Sequence, residues 1–221
     1  MHYRSYRFLT PLIMVLTWAN MEAQTSHPVP RLVVNVTIDQ LRTDYMEAFS
    51  SLFGAGGFNK VMRDGRSYMD AAYPFSHIDR ASAVACIMTG TVPYDNGIVG
   101  GRWMDRKTLR PMYCVDDTAC EGWLTSEKYS PVALNVSTVT DELKMATGGR
   151  ALVYSIAPDA DAAILAAGHA ADGAFWIDNA SGQWSSTSYY ASIRIGPYVM
   201  MFPTVCPVVF PICPGPQSVR L

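Results

Sequence analysis

A strand-like run, Arg31-Leu-Val-Val-Asn-Val-Thr-Ile-Asp39, stops on a carboxylate and passes directly into a helix-like pattern from Gln40 to Leu52. Apolar β-branched residues fill the first part, and Leu41, Tyr45, Phe49 and Leu52 recur at three- and four-residue intervals in the second. A strand feeding an amphipathic helix predicts an α/β domain, in which ligands collect beyond the carboxyl ends of the strands. Asp39 is therefore placed to hold a metal or a substrate. The competing reading is a carboxylate that caps the following helix.

The rest of the chain continues the alternation. Gly54-Ala-Gly-Gly57 reads as a helix stop and turn, because it lacks the spacing of a phosphate-binding loop after a strand. A short helix is expected over Phe58 to Arg63 and a strand over Ser67 to Tyr73. A small-residue helix then ends at Gly90, with an N-terminus suited to an anion. Arg102 to Lys128 is polar and without period. Helix Thr138 to Thr147, strand Ala151 to Ala157, helix Asp161 to Ala167 and a hairpin Ala174 to Tyr190 about Asn179-Ala-Ser-Gly182 follow. This order predicts a mainly parallel, doubly wound sheet.

Both ends read differently. Arg4 and Arg7 precede the apolar run Phe8 to Ala19, and Ala23-Gln24 offers a cleavage site, so residues 1–23 read as a secretory signal peptide. Pro11 interrupts that run, which is shorter than the ~20 apolar residues of a spanning helix. Residues 24–190 then form the domain, in the periplasm or outside the cell, with no membrane attachment after cleavage. Residues 191–221 carry six prolines among Met, Phe, Val and Ile, and no acidic residue follows Asp178. That tail is not expected to fold as domain, and the sheet is expected to be incomplete at its C-terminal side. A net charge of -2 without a basic run argues against nucleic acid as partner. In an oxidising compartment Cys114 and Cys120 could pair across Val-Asp-Asp-Thr-Ala, whereas Cys86 reads as a buried thiol. No CxxC or HExxH spacing assembles a metal site locally.

In sum of its motifs the chain resembles the alkaline phosphatase superfamily, in particular the PafA-like phosphatases and the type I phosphodiesterase/nucleotide pyrophosphatase group. The resemblance rests on Val36-Thr-Ile-Asp-Gln-Leu-Arg-Thr-Asp-Tyr45, Gly56-Gly-Phe58, Thr89-Gly-Thr-Val-Pro93, Asn96-Gly-Ile-Val-Gly100, Tyr113-Cys-Val-Asp-Asp117, Thr140-Asp-Glu-Leu-Lys144 and Ala163-Ile-Leu-Ala-Ala-Gly-His-Ala-Ala-Asp172. It implies zinc-dependent hydrolysis of small phosphate mono- or diesters, with a Thr or Ser alkoxide attacking phosphorus. Asp39 matches the first zinc carboxylate of such a site. The other positions depart from the pattern. Arg80 stands where the resemblance places the nucleophile, and the nearest hydroxyl on that helix start is Ser82, whose plainer role is packing. Gly101 stands where a phosphate-contacting Asn is expected, and Asp159 and Asp161 replace a Lys and an Arg. Asp159-Ala-Asp161 would bind a cation or an amine, or cap a helix. His169 falls on a scaffold segment and reads as a structural histidine. Two functions follow: an exported phosphate-ester hydrolase, inactive and truncated in this chain, or a non-catalytic relative acting as a binding or scaffold domain.

Overall fold

The computed structural model describes residues 30–190. Its elements in chain order are α1 (Thr43–Ala48), a 3-10 turn (Ser50–Leu52), α2 (Gly57–Asp64), α3 (Arg80–Thr89) and α4 (Pro93–Asn96). The strands β1 (Arg102–Met104), β2 (Pro111–Tyr113) and β3 (Gly122–Trp123) follow. Then come α5 (Val139–Ala146), β4 (Tyr154–Ile156), α6 (Ala160–Ala167), β5 (Gly173–Ile177), β6 (Trp184–Thr187) and a 3-10 turn (Ser188–Tyr190).

Strand β4 runs parallel to β5, with α6 as the crossover between them, so this segment is the βα unit that the alternation predicts. The four-stranded sheet has the order β3-β6-β5-β4, and its other two pairings are antiparallel. A separate antiparallel pair, β1 and β2, folds out of the polar loop, where three-residue strands are too short to show a period. The hairpin turn forms as predicted: the Asp178 carboxylate accepts from the Ser181 N–H at 2.8 Å and from its hydroxyl at 2.7 Å, while Gly182 takes φ 67°. The architecture is thus α/β with mixed strand directions, and only the β4–β5 pair among the described residues is parallel.

Helix α3 is set by its ends. Asp79 and Ser82 form a reciprocal capping box, and Gly90 closes the helix in the left-handed conformation at φ 69°. Helix α5 is capped in the same way by Thr138 and Asp141. The core collects Ala81, Val84, Ala85 and Met88 from α3, Ala163, Ile164 and Leu165 from α6, and Trp176 from β5.

Two predicted strands do not form. Residues 31–38 do not take strand conformation, and Leu32, Val33, Val34, Val36 and Ile38 are exposed. A parallel strand is held by its neighbours, so an apolar run alone does not make one. Over Ser67 to Tyr73 the chain instead turns at Met69-Asp70. The described cysteines, Cys86, Cys114 and Cys120, are free thiols, so the Cys114–Cys120 pairing that an oxidising compartment would allow is not formed in this structure. The Cys120 thiol is used elsewhere, donating to Asp117 Oδ2 at 3.3 Å, and burial pushes both thiol pKa values up. Among the described residues no helix is long and apolar enough to cross a membrane. The expected signal peptide and Pro-rich tail lie outside the described residues.

Candidate functional site

The turn between β4 and α6 sits at the carboxyl end of a parallel strand, where α/β folds gather ligands, and it carries Asp159 and Asp161. Facing it is the first residue of α3, Arg80. The fold brings these three side chains together across 79 and 81 residues of sequence. Arg80 Nη1 donates to Asp159 Oδ2 at 2.6 Å, and Nη2 lies 3.0 Å from Asp161 Oδ1 and 3.1 Å from Oδ2. The Asp161 side chain is only 4% exposed, whereas those of Arg80 and Asp159 are each 37% exposed. Burial works against the guanidinium charge, but the bonds to Asp161 and the charge of Asp159 outweigh it and raise the Arg80 pKa.

Asp159 occupies the N-cap position of α6 yet makes no side-chain cap, because its carboxylate is engaged by Arg80. Asp161 bonds the Ala162 N–H at 2.8 Å. Neither a bound cation or amine nor a side-chain cap is what the Asp159-Ala-Asp161 carboxylates engage; they pair with a guanidinium of the same chain.

Asp79, which the sequence reading passed over, completes the cluster. One of its oxygens accepts from the Ser82 N–H at 2.9 Å and the other from the Gly101 N–H at 2.5 Å. Burial opposes its ionisation, but these N–H groups prevail and lower its pKa. The signal was present in the sequence: Asp-x-x-Ser ahead of a small-residue helix is a capping pattern. A β-carbon added to Gly101 would lie 3.5 Å from Asp79 Oδ2 and 3.9 Å from Asp161 Oδ2. A longer side chain there would thus project between two carboxylates. The Arg80 guanidinium thus faces two carboxylates, Asp159 and Asp161, while the Asp79 carboxylate is held by backbone N–H groups.

Ser82 is fully buried, and its hydroxyl accepts from the Asp79 N–H at 3.0 Å and bonds the Asp79 carbonyl at 3.1 Å. It is fixed as the second half of the helix cap. Asp39 is exposed and forms no hydrogen bond or ion pair among the described residues. Its charge is felt by Tyr73, whose hydroxyl pKa is raised by burial first, then by Cys86 and Asp39. Zinc requires three or four ligands, and no group of three His, Cys, Asp or Glu residues among the described residues is placed to hold a metal.

Beside the ion-pair cluster lies a cavity of about 230 Å³ lined by Arg80, Arg102, Tyr113, Glu127, Tyr129 and Asp159. The Arg102 guanidinium stacks over the Tyr113 ring at 4.8 Å. Burial, reinforced by the Asp161 charge, raises the Tyr113 pKa and keeps its hydroxyl protonated.

Comparison with known proteins places this geometry in context. Residues 33–208 match the model of the type I phosphodiesterase / nucleotide pyrophosphatase family. The alkaline phosphatase PhoV of Synechococcus elongatus is 40% identical over 164 residues, which are 73% of this chain and 30% of the relative. The crystal structure of wild-type alkaline phosphatase PafA superimposes with a TM-score of 0.72 at 34% identity, covering 74% of this chain and 32% of that one. A PafA variant with a Thr, an Asn, a Lys and an Arg substituted superimposes with a TM-score of 0.69 at 32% identity, covering 80% and 35%. In that variant the Thr and Asn positions are spaced as Arg80 and Gly101 are here, and the Lys and Arg positions as Asp159 and Asp161 are. The chain spans about a third of the length of these relatives.

Proposed function

The chain belongs to the type I phosphodiesterase / nucleotide pyrophosphatase family, and we propose that it is an exported member whose phosphoryl-binding corner is closed by its own arginine and does not turn over phosphate esters. The relatives' names supply the ancestral chemistry, hydrolysis of small phosphate esters, for which zinc is the metal we infer. The observation that carries the proposal is the ion pair of Arg80 with Asp159 and Asp161. Phosphoryl transfer at this corner needs a nucleophilic hydroxyl and cations aimed at phosphate oxygens. A guanidinium cannot serve as the hydroxyl. Two carboxylates repel a phosphate dianion, and each such contact at ~4 Å near a protein surface is of the order of several kcal/mol before screening. The role left to such a protein is that of a periplasmic or secreted binding or scaffold domain.

The hydrolytic reading is supported by family membership and would have to run through Ser82. That hydroxyl is bonded into the helix cap and fully buried, so it lacks a path to substrate.

The test is p-nitrophenyl phosphate hydrolysis by the exported form with zinc supplied. We expect no turnover above background in the wild type and no change in Ser82→Ala. Zinc-dependent hydrolysis that Ser82→Ala abolishes would establish the hydrolytic reading instead.

A further inference from the structure

At the other end of α6 from Asp161, His169 sits in the turn after the helix with both ring nitrogens against oxygen. Nδ1 lies 3.2 Å from Asp141 Oδ2 and Nε2 lies 3.0 Å from the Leu134 carbonyl oxygen. Neither partner can donate. A backbone carbonyl only accepts, and Asp141 is held as a carboxylate by the Thr138 N–H and hydroxyl, each at 2.9 Å, and by the Ala170 N–H at 2.6 Å. Burial works against that charge, but these donors together with His169 keep the Asp141 pKa well below the carboxylate range. Both contacts of His169 are satisfied only when both nitrogens carry protons, that is, by the imidazolium.

We propose that His169 is a pH-sensitive fastener: as an imidazolium it ties the Leu134 loop to the cap of α5 and to the turn after α6, and loss of one proton releases the loop. The neutral ring keeps its Nδ1–H bond to Asp141 because that partner is charged. Its Nε2 lone pair then faces the Leu134 carbonyl, and the contact turns from attraction to repulsion.

The surroundings permit the switch. From α5, Asp141 is the charged group that faces the ring, while Glu142 accepts from the Ser137 hydroxyl and Lys144 is paired with Asp172. From the 3-10 turn, Tyr189 and Tyr190 are raised in pKa by burial and by Asp141, so their hydroxyls stay protonated. The Tyr190 hydroxyl donates to the Gly168 carbonyl at 3.0 Å, anchoring the turn that carries His169. The loop on the other side is held by the Leu134 side chain, buried in the core, by the Leu134 N–H on the Pro131 carbonyl and by the Asn135 N–H on the Asn96 carbonyl, both at 2.9 Å, so release means the exchange of these two amides rather than departure of the side chain. The hydrogen bond to Asp141 outweighs burial and raises the His169 pKa. Because the folded-state pKa is raised, the stabilisation is full below the unfolded value of about 6.5 and is lost as pH climbs through the folded value.

The experiment is an NMR titration of the full chain that follows the His169 ring and the amide protection of Leu134 and Asn135, corrected for intrinsic exchange. We expect the ring to titrate above about 6.5 and the protection of these amides to fall about tenfold through the same transition, the equilibrium equivalent of one charge-assisted hydrogen bond. In His169→Gln, which assigns the ring signal, protection should no longer follow pH. A ring that titrates at or below 6.5, or amide protection indifferent to its titration, would overturn the proposal. If His169→Gln does not fold, the ring is assigned through the His169 backbone resonances and the wild-type titration decides.

Discussion

Residues 37–79 and 80–190 are both rich in helix signals, yet the two regions end differently. Helices α1 and α2 bury no residue, and the stripe Leu41, Tyr45, Phe49 and Leu52 stays exposed. Helices α3 and α6 bury five and six residues respectively and meet in one core with Trp176 and Tyr190. The difference is not propensity. Both regions carry apolar residues at helical spacing, but in the second a β-strand pair and a facing helix receive the apolar side. Local pattern sets the helix, and only a partner surface converts the pattern into stability.

That contrast is open to measurement. Ile164→Ala, at a fully buried site, should lower stability by about 3 kcal/mol, because it removes buried methyl groups and leaves a cavity. Leu52→Ala, at a site 78% exposed, should change it by less than about 0.5 kcal/mol. Chemical denaturation of both variants decides the point, and equal losses would show that α1 and α2 share the core.

The ion-pair cluster lies at the edge of that core and should give intermediate effects. Arg80→Ala strips the Asp161 carboxylate, only 4% exposed at its side chain, of its cation. The loss should be about 2 kcal/mol, a value held down by the exposure of the guanidinium itself. Asp159→Ala removes a partner that solvent can replace and should cost under about 1 kcal/mol. A larger loss from Asp159→Ala than from Arg80→Ala would place the stabilising contact on the wrong carboxylate.

How much of this was legible beforehand follows from the range of each signal. The α3 helix, its stop at Gly90, the α5 helix and the hairpin about Asn179 to Gly182 are written in residues a few positions apart, and they formed where the pattern placed them. The run 31–38 carries an equally clear pattern and formed no strand, since a strand needs bonds from segments the local sequence does not specify. Motif resemblance picked out Arg80, Gly101, Asp159 and Asp161 one by one as departures. It did not show that two of the new carboxylates grip the new cation, because the partners stand 79 and 81 residues apart. The role of His169 was legible only as structural. The two acceptors that define its charge, Asp141 and the Leu134 carbonyl, lie 28 and 35 residues away.

The central claim is that Arg80 occupies, from within, a corner that no longer accepts phosphate. Titration calorimetry with inorganic phosphate on the full chain and on the triple variant Arg80→Thr, Asp159→Lys, Asp161→Arg tests it most directly. The account predicts no measurable phosphate binding to the wild type and a gain of binding in the triple variant, whose corner regains a hydroxyl and two cations. Phosphate binding by the wild type that weakens when Arg80 is replaced by Ala would contradict it, for the guanidinium would then be serving the anion rather than Asp159 and Asp161.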